Sequence, residues 1–126
     1  MTGQLPLVSI VDDDVSVRES LPDLLRQLGY AAEAFPSAEA FLASDRADDT
    51  RCLLLDLTMP GMSGPALQEE LTRRRQGIPI VYITASDDAT VRARLIARGA
   101  VDCLFKPFSE ATLLEALDLA LRTPPA

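Results

Sequence analysis

Short apolar runs alternate with longer amphipathic stretches along the whole chain. Apolar runs rich in β-branched residues predict three strands that are buried on both faces, at residues 7–11, 52–56 and 79–84. Weaker runs predict two further strands, at residues 31–35 and 101–105. Apolar positions with helical spacing predict five helices, at residues 15–28, 37–43, 64–75, 87–98 and 109–122. This alternation indicates right-handed crossovers and a parallel sheet covered on both faces, which is an α/β fold.

Glycine and small polar residues mark the ends of the predicted helices. The glycines that follow a helical pattern, as C-terminal caps do, are Gly29, Gly77 and Gly99. The residues predicted to cap helix N-termini are Asp14, Ser37, Ser63, Asp87 and Ser109. Pro22 lies in the middle of the first helical pattern, where it cannot donate a backbone hydrogen bond. We therefore expect a kink near residues 18–22, or a helix that starts later.

The length of 126 residues predicts one domain. We expect its core at about residues 5–122, followed by a tail or the start of a linker at 123–126. The net charge of −7 argues against direct binding of nucleic acid by this domain. No apolar run approaches the roughly 18 residues of a membrane span, and the first residues do not resemble a secretory signal. A cytoplasmic location without membrane contact is therefore expected.

The chain contains no His and two Cys. The lack of His removes the commonest transition-metal ligand and the commonest general base, so any chemistry must use carboxylates, hydroxyls and lysine. Cys52 and Cys103 both lie in predicted strands and are expected to be buried free thiols.

Polar residues end four of the five predicted strands. Asp12 and Asp13 follow the first strand, Asp56 ends the third, Thr84 ends the fourth and Lys106 follows the fifth. Because parallel strands bring their carboxyl ends to one edge of a sheet, we expect these side chains to converge there. Crowded carboxylates require a counter-charge, and an oxygen-rich site suits Mg²⁺. Such a site can support phosphoryl transfer, with an aspartate as the nucleophile.

Four motifs together resemble those of a response-regulator receiver domain. They are Val11-Asp12-Asp13-Asp14, the stretch Asp56-Leu57-Thr58-Met59-Pro60-Gly61-Met62-Ser63-Gly64, Ile83-Thr84-Ala85, and Lys106-Pro107-Phe108. The resemblance covers about residues 5–122 and is specific because the motifs occur in combination. It implies a flavodoxin-like doubly wound fold with a five-stranded parallel sheet in the order 2-1-3-4-5. The sequence also resembles those of receivers that precede helix-turn-helix output domains.

The resemblance implies a magnesium site that prepares one aspartate for phosphorylation. Asp56 matches the phosphoacceptor, and Asp12 and Asp13 match the acidic pair that holds Mg²⁺. In that arrangement Asp13 and Asp56 are direct metal ligands, while Asp12 acts mainly through metal-bound water. The backbone carbonyl of Thr58 completes the protein ligands.

Two further residues match positions that contact the phosphoryl group. Thr84 matches the hydroxyl residue that turns toward the phosphoryl oxygens after transfer. Lys106 matches the lysine that pairs with the phosphoryl group, and the resemblance implies a cis bond between it and Pro107.

The function implied is that of a signalling switch. A sensor histidine kinase or a histidine phosphotransfer protein donates the phosphoryl group, and the resulting change of conformation controls an output domain or partner. Formation of a homodimer on phosphorylation is a further expectation. Arg92, Arg94 and Arg98 form a basic patch on the fourth helix, which is either a solvated face or a surface that recognises a dimer mate or target. The chain is not expected to be an enzyme beyond catalysing its own phosphorylation and dephosphorylation.

Two alternatives are less well supported by the residues. A Mg²⁺-dependent phosphatase or phosphomutase would place a second aspartate two residues after Asp56, where this chain has Thr58, and the chain has no room for a substrate cap. A degenerate module that is never phosphorylated conflicts with the presence of every chemical position.

One position departs from the pattern of the family. Cys103 occupies the place, three residues before the lysine, where receivers commonly have an aromatic switch residue. We expect Phe105 to lie on the opposite face of the strand and to be unable to replace it. A disulfide between Cys52 and Cys103 is not expected, because the order 2-1-3-4-5 separates their strands by about 9–10 Å.

Overall fold

The computed structural model describes residues 5–85 and 88–122. Its strands are β1 (Leu7–Val11), β2 (Ala31–Phe35), β3 (Thr50–Asp56), β4 (Ile80–Thr84) and β5 (Asp102–Phe105). They form one parallel sheet in the order β2-β1-β3-β4-β5. The predicted α/β class and the strand order implied by the resemblance are both confirmed.

A helix follows each strand of the sheet. The helices are α1 (Val15–Gln27), α2 (Ala38–Ala43), α3 (Gly64–Arg73), α4 (Ala89–Ala97) and α5 (Glu110–Arg122). A 3₁₀ turn at Ala47–Asp49, which the pattern did not predict, leads into β3. Within the described residues, no helix is both long and apolar enough to cross a membrane.

The sheet separates two hydrophobic layers. One layer packs α2, α3 and α4 against the sheet through Phe41, Leu67 and Leu95. The other layer packs α1 and α5 through Leu25 and Leu117. Full burial of each such side chain stabilises the fold by about 1.5–3 kcal/mol. Because β1, β3 and β4 are buried on both faces, their carboxyl ends are held firmly at one edge of the molecule.

Side chains cap the helices largely as predicted. Ser37 accepts a hydrogen bond from the backbone of Ala40, Ser63 from that of Ala66, and Ser109 from that of Thr112. Asp14 accepts one from the backbone of Ser16 at the start of α1. The predicted cap Asp87 lies outside the described residues. Asp88, the next residue, caps α4 by accepting a hydrogen bond from the backbone of Thr90.

The prediction for the end of α3 is wrong. Gly29 and Gly99 have φ of 98° and 105° and end their helices as expected, but after α3 the left-handed residue is Arg75, with φ of 60°. The backbone N–H of Gln76 bonds to the carbonyl of Leu71, which closes the turn before Gly77 is reached. The helix therefore ends earlier than a glycine-based rule predicts.

Helix α1 starts at Val15 and continues through Pro22, so the expectation of a later start is wrong. The Asp14 cap initiates the helix, and the backbone N–H of Arg18 bonds to the Asp14 carbonyl at 3.2 Å. The side chain of Pro22 is buried, and this burial offsets part of the cost of the missing hydrogen bond.

Both cysteines are buried free thiols, as predicted. Cys52 and Cys103 lie in different hydrophobic layers, on opposite faces of the sheet. The prediction for Phe105 is wrong, because Phe105 packs into the same layer as Cys103, whereas Leu104 points into the other. Residues two apart on a strand share a face.

Candidate functional site

Three carboxylates meet at the carboxyl edge of the sheet. Strands β1 and β3 are neighbours with Val11 opposite Leu55, so the next residues, Asp12 and Asp56, lie side by side. Asp13 adds a third carboxylate, and one oxygen from each of the three lies within 4.8 Å of the other two. Asp12 and Asp56 are buried, while Asp13 is exposed to solvent. The cluster is therefore open on one side and enclosed by the sheet on the other.

Lys106 neutralises one of these charges. Its Nζ donates a hydrogen bond to Oδ2 of Asp12 at 3.1 Å, and the Asp12 side chain is 0% exposed. The other oxygen of Asp12 accepts a hydrogen bond from the backbone N–H of Asp14 at 2.9 Å. Since both oxygens of Asp12 already have protein partners, Asp13 and Asp56 are the carboxylates better placed to contact a cation directly.

The surroundings of Asp56 disfavour its charged form. Burial, followed by the charge of Asp12 and a hydrogen bond with Asp13, raises the pKa of Asp56 to about 7. The backbone N–H of Thr58 donates to Oδ1 of Asp56 at 3.3 Å, and this bond acts in the opposite direction. The pKa of Asp56 therefore lies near neutral pH, and a nearby cation would favour its charged form.

Strands β4 and β5 complete the edge of the sheet around the carboxylates. Thr84 is buried at the end of β4, one residue beyond Ile83, which pairs with Asp56 in the sheet. The backbone N–H of Lys106 donates to the carbonyl of Thr84 at 2.8 Å, which fixes the lysine at the end of β5. The bond between Lys106 and Pro107 is cis, as the resemblance implied.

The sequence-predicted residues therefore fall at one edge of the sheet. Asp12, Asp13 and Asp56 form the cluster, Lys106 bonds to it, and Thr84 lies at the end of the strand beside Asp56. Thr58 lies two residues after Asp56, in the loop between β3 and α3, and is exposed.

Sequence reasoning did not predict the contacts of two residues that shape this loop. Oε2 of Glu39, at the start of α2, accepts a hydrogen bond from the backbone N–H of Met62 at 3.1 Å. A methyl group on Gly64 would lie 2.7 Å from the carbonyl oxygen of Asp56, so only glycine fits there. Glu39 gave no sequence signal, because its partner is 23 residues away. Gly64 did give one, because it is the last residue of the motif that begins at Asp56.

The donor set fits a divalent cation. Its three carboxylates and one ammonium group leave a formal charge of −2 when Asp56 is ionised. All of the available ligand atoms are oxygens, which suits Mg²⁺ rather than a softer transition metal. Asp13 is exposed and its oxygen points into the cluster, so a metal with several bound waters has access from solvent.

Known proteins resemble the chain over nearly its whole length. The family model described as the response regulator receiver domain matches residues 8–118. Nodulation protein W of Bradyrhizobium diazoefficiens is 44% identical over 111 residues, which make up 88% of this chain and 49% of that protein. Response regulator protein TodT of Pseudomonas putida is 38% identical over 99% of this chain and 55% of its own length. The chain thus spans about half the length of these relatives.

Solved structures show the same relationship. The structure titled as response regulator StyR has a TM-score of 0.84 and 48% identity, covering 94% of this chain and 60% of that one. The structure titled FixJ-N has a TM-score of 0.85 and 39% identity, covering 98% of this chain and 99% of that one. The family model, the relatives and the solved structures all indicate the same family. The chain belongs to the family of response regulator receiver domains.

Proposed function

We propose that this receiver domain is a switch in which Asp56 accepts a phosphoryl group in a Mg²⁺-dependent reaction. The observation that carries the proposal is the cluster of Asp12, Asp13 and Asp56, with Lys106 bonded to its buried member. The donor is the phosphohistidine of a sensor histidine kinase or of a histidine phosphotransfer protein. The phosphorylated domain then controls an output domain or a partner protein.

In the proposed reaction Asp56 is the nucleophile. One of its carboxylate oxygens forms a bond to phosphorus while the bond from phosphorus to the imidazole nitrogen breaks, leaving the electron pair on nitrogen. Asp13, Asp56 and the Thr58 carbonyl would hold Mg²⁺, with Asp12 acting through a metal-bound water. When bound, the ion supplies positive charge that stabilises the phosphoryl oxygens.

Lys106 and Thr84 have separate tasks in this proposal. Lys106 moves its ammonium group from Asp12 to share it with the incoming phosphoryl oxygens, whose charge it stabilises. The hydroxyl of Thr84 donates a hydrogen bond to a phosphoryl oxygen after transfer, which couples the new charge to the end of β4 and to the segment that leads into α4.

The site is suited to a donor carried on a protein. Asp13 and Thr58 are exposed at an open edge, and a cleft of about 390 Å³ lies elsewhere, lined by residues such as Thr50, Pro79 and Ala120. The residues that line this cleft include none of the three carboxylates of the cluster. The proposal includes a cytoplasmic location, which agrees with two free thiols.

Incubation with acetyl phosphate and Mg²⁺, followed by intact mass measurement, tests the proposal. We expect one phosphoryl adduct per chain that is stable in acid, labile in base and absent in Asp56→Asn. Asp45→Asn is the matched control, since Asp45 is an exposed aspartate away from the cluster, and it should be labelled like the wild type. Repeated turnover of a phosphate ester without a lasting adduct would indicate an enzyme instead, and absence of any adduct would indicate a degenerate module.

Replacing Lys106 with Ala should slow phosphorylation by about 100-fold, because one cationic donor to the phosphoryl oxygens is lost. The rate of adduct formation with acetyl phosphate measures this effect. Lys106→Arg retains the charge with a different geometry and should recover only part of the rate. Equal rates for wild type and Lys106→Ala would remove Lys106 from the proposed chemistry.

Dimer formation on phosphorylation belongs to the same proposal. Arg94 is exposed on α4, whereas Arg92 on the same helix is paired with Asp102 within the chain at 2.7 Å. Sedimentation of the domain with and without acetyl phosphate and Mg²⁺ should show an increase in mass on phosphorylation. An unchanged monomer in both states would contradict this part of the proposal.

A further inference from the structure

Helix α4 is attached to the rest of the domain unevenly along its length. Leu95 is the buried residue of this helix, and Val91 is half-buried beside it. At the amino end, Asp88, Ala89 and Thr90 are all exposed, and the Asp88 side chain caps its own helix. Among the described residues of α4, the apolar contacts with other elements are therefore made by Val91 and Leu95, and the partly exposed ion pair between Arg92 and Asp102 adds a link to β5.

A chain of two hydrogen bonds reaches the carboxyl end of α4. The hydroxyl of Tyr82 donates to Oε1 of Gln68 at 2.6 Å, and Nε2 of Gln68 donates to the carbonyl of Arg98 at 3.1 Å. Arg98 is the C-cap of α4, where carbonyl groups lack partners within the helix. Since a carbonyl can only accept, the amide nitrogen of Gln68 must face Arg98, and its oxygen must then face Tyr82.

Tyr82 anchors this chain in the core. It is 0% exposed on β4, two residues before Thr84 and on the same face of the strand. Burial raises the pKa of Tyr82, so its hydroxyl is protonated and acts as a donor at physiological pH.

The ring of Tyr82 also lies against the beginning of α3. A methyl group on Gly64 would lie 2.9 Å from Cε1 of Tyr82 and 2.7 Å from the carbonyl oxygen of Asp56. Packing contacts and hydrogen bonds are therefore continuous from the backbone of Asp56, through Gly64, Tyr82 and Gln68, to the end of α4.

We propose that Tyr82 and Gln68 form a strut that fixes the carboxyl end of α4 to β4 and α3, so that α4 responds to phosphorylation by pivoting about that end. The amino end of α4, which follows Thr84 along the chain, is then the part that moves. This inference rests on the proposed function, because the signal that moves α4 is the phosphoryl group on Asp56. Tyr82 and Gln68 are positioning residues, and neither belongs to the carboxylate cluster.

Residue-resolved amide hydrogen exchange on the domain, with and without acetyl phosphate and Mg²⁺, tests the strut. The informative amides at the carboxyl end are those of residues 98–100, which bond to carbonyls of α4. In the wild type, phosphorylation should change exchange at residues 89–92 and leave residues 98–100 as they were. In Gln68→Ala, exchange at residues 98–100 should be roughly fivefold faster or more before phosphorylation. After phosphorylation of this variant, the change should extend along the whole helix.

Two further variants separate the two hydrogen bonds. Tyr82→Phe keeps the ring that fills the core and removes only the hydroxyl, so Gln68 loses its anchor and residues 98–100 should again exchange faster. Gln68→Glu keeps an acceptor for Tyr82 but loses the donor to the Arg98 carbonyl, and it should also loosen residues 98–100. Gln27→Ala, at the exposed end of α1, is the matched control and should match the wild type. The yield of the phosphoryl adduct should be unchanged in all of these variants.

The strut is overturned if Gln68→Ala and Tyr82→Phe both exchange like Gln27→Ala at residues 98–100. It is also overturned if phosphorylation of the wild type alters exchange along the whole of α4. Failure of the wild type to form any adduct would overturn the proposed function instead. The comparison of exchange rates without phosphodonor would still test the anchoring of α4 in that case.

Discussion

At the carboxyl end of β3, Asp56 is 8% exposed, and its carboxylate faces those of Asp12 and Asp13. Burial and the neighbouring charge raise its pKa to about 7, well above the usual value for an aspartate. Because the folded state then holds its proton more tightly than the unfolded state, ionisation of Asp56 destabilises the fold. A cation at the cluster removes this penalty, which links occupancy of the site to stability.

This linkage predicts how Asp56→Asn changes stability with pH. The free energy of unfolding of the wild type without Mg²⁺ should contain a contribution from Asp56 that is present below about pH 4 and is lost as pH rises toward 7. Asn does not titrate, so the stability of the variant relative to the wild type should increase by roughly 1–3 kcal/mol between pH 4.5 and pH 7.5. Urea unfolding in a chelator at both pH values measures the difference.

Addition of Mg²⁺ provides the control for the same measurement. The ion pairs with the ionised carboxylates of the wild type, so the advantage of Asp56→Asn at pH 7.5 should shrink. An advantage that is the same at pH 4.5 and 7.5 would show that Asp56 ionises without cost in the folded protein.

At the scale of elements, the loop between β3 and α3 is held from both of its sides. The side chain of Met59 is buried beneath it, Gly61 has φ of 77°, and the carboxylate of Glu39 accepts the backbone N–H of Met62. A methyl group on Gly61 would lie 3.0 Å from Oε2 of Glu39, so this side chain lies directly against the loop. The loop also contains Thr58, whose carbonyl is a proposed metal ligand, so its conformation bears on the metal site.

Replacing Glu39 with Ala should therefore weaken Mg²⁺ binding and slow phosphorylation by about three- to tenfold each, since one hydrogen bond that orders the loop is lost. Glu39→Gln keeps an oxygen acceptor for Met62 and should restore both values. Isothermal titration with Mg²⁺ and the rate of adduct formation with acetyl phosphate measure the two effects.

The matched control for Glu39 is Glu115→Ala, which removes an exposed glutamate from α5, a helix of the other layer. It should bind Mg²⁺ like the wild type. A Glu39→Ala variant that loses stability while keeping the Mg²⁺ affinity of the wild type would show that Glu39 supports the fold and not the site.

At the scale of the whole molecule, folding is what assembles the site. Lys106 and Asp12 are 94 residues apart in the chain and bond at 3.1 Å because β1 and β5 belong to one sheet. The unfolded chain has no comparable arrangement of Asp12, Asp13 and Asp56. A cation that binds the cluster therefore stabilises the folded state through mass action.

Mg²⁺ should accordingly raise the thermal unfolding midpoint of the wild type. At a concentration of about ten times the dissociation constant, the stabilisation is roughly 1.4 kcal/mol. Asp13→Asn removes the exposed ligand of the cluster and should abolish most of this shift, whereas Asp45→Asn should keep it. Differential scanning calorimetry measures the shift of the unfolding midpoint. Equal shifts in all three proteins would indicate that Mg²⁺ acts away from the cluster.

The sequence by itself determined the strands, the class of fold and the residues at the sheet edge. Apolar runs such as residues 7–11 predicted the strands, because a strand that is buried on both faces needs apolar side chains on both. A parallel sheet brings the carboxyl ends of its strands to one edge. Asp12 and Asp56 could therefore be expected to meet. Caps such as Ser37 and Ser63 were also predictable, because each bonds to a backbone N–H three residues away.

Only the tertiary structure decided which distant partners the side chains of α2 and α3 meet. The bonds from Gln68 to Tyr82 and Arg98, and from Glu39 to Met62, depend on how α2, α3 and α4 lie on the sheet, which local patterns do not specify. The periodicity of a strand fixes which residues share a face, but only the packing of the helices fixes what each face touches. The chemical groups of the site were thus readable from the chain, whereas the contacts that hold its loop and α4 in place arose from packing between elements.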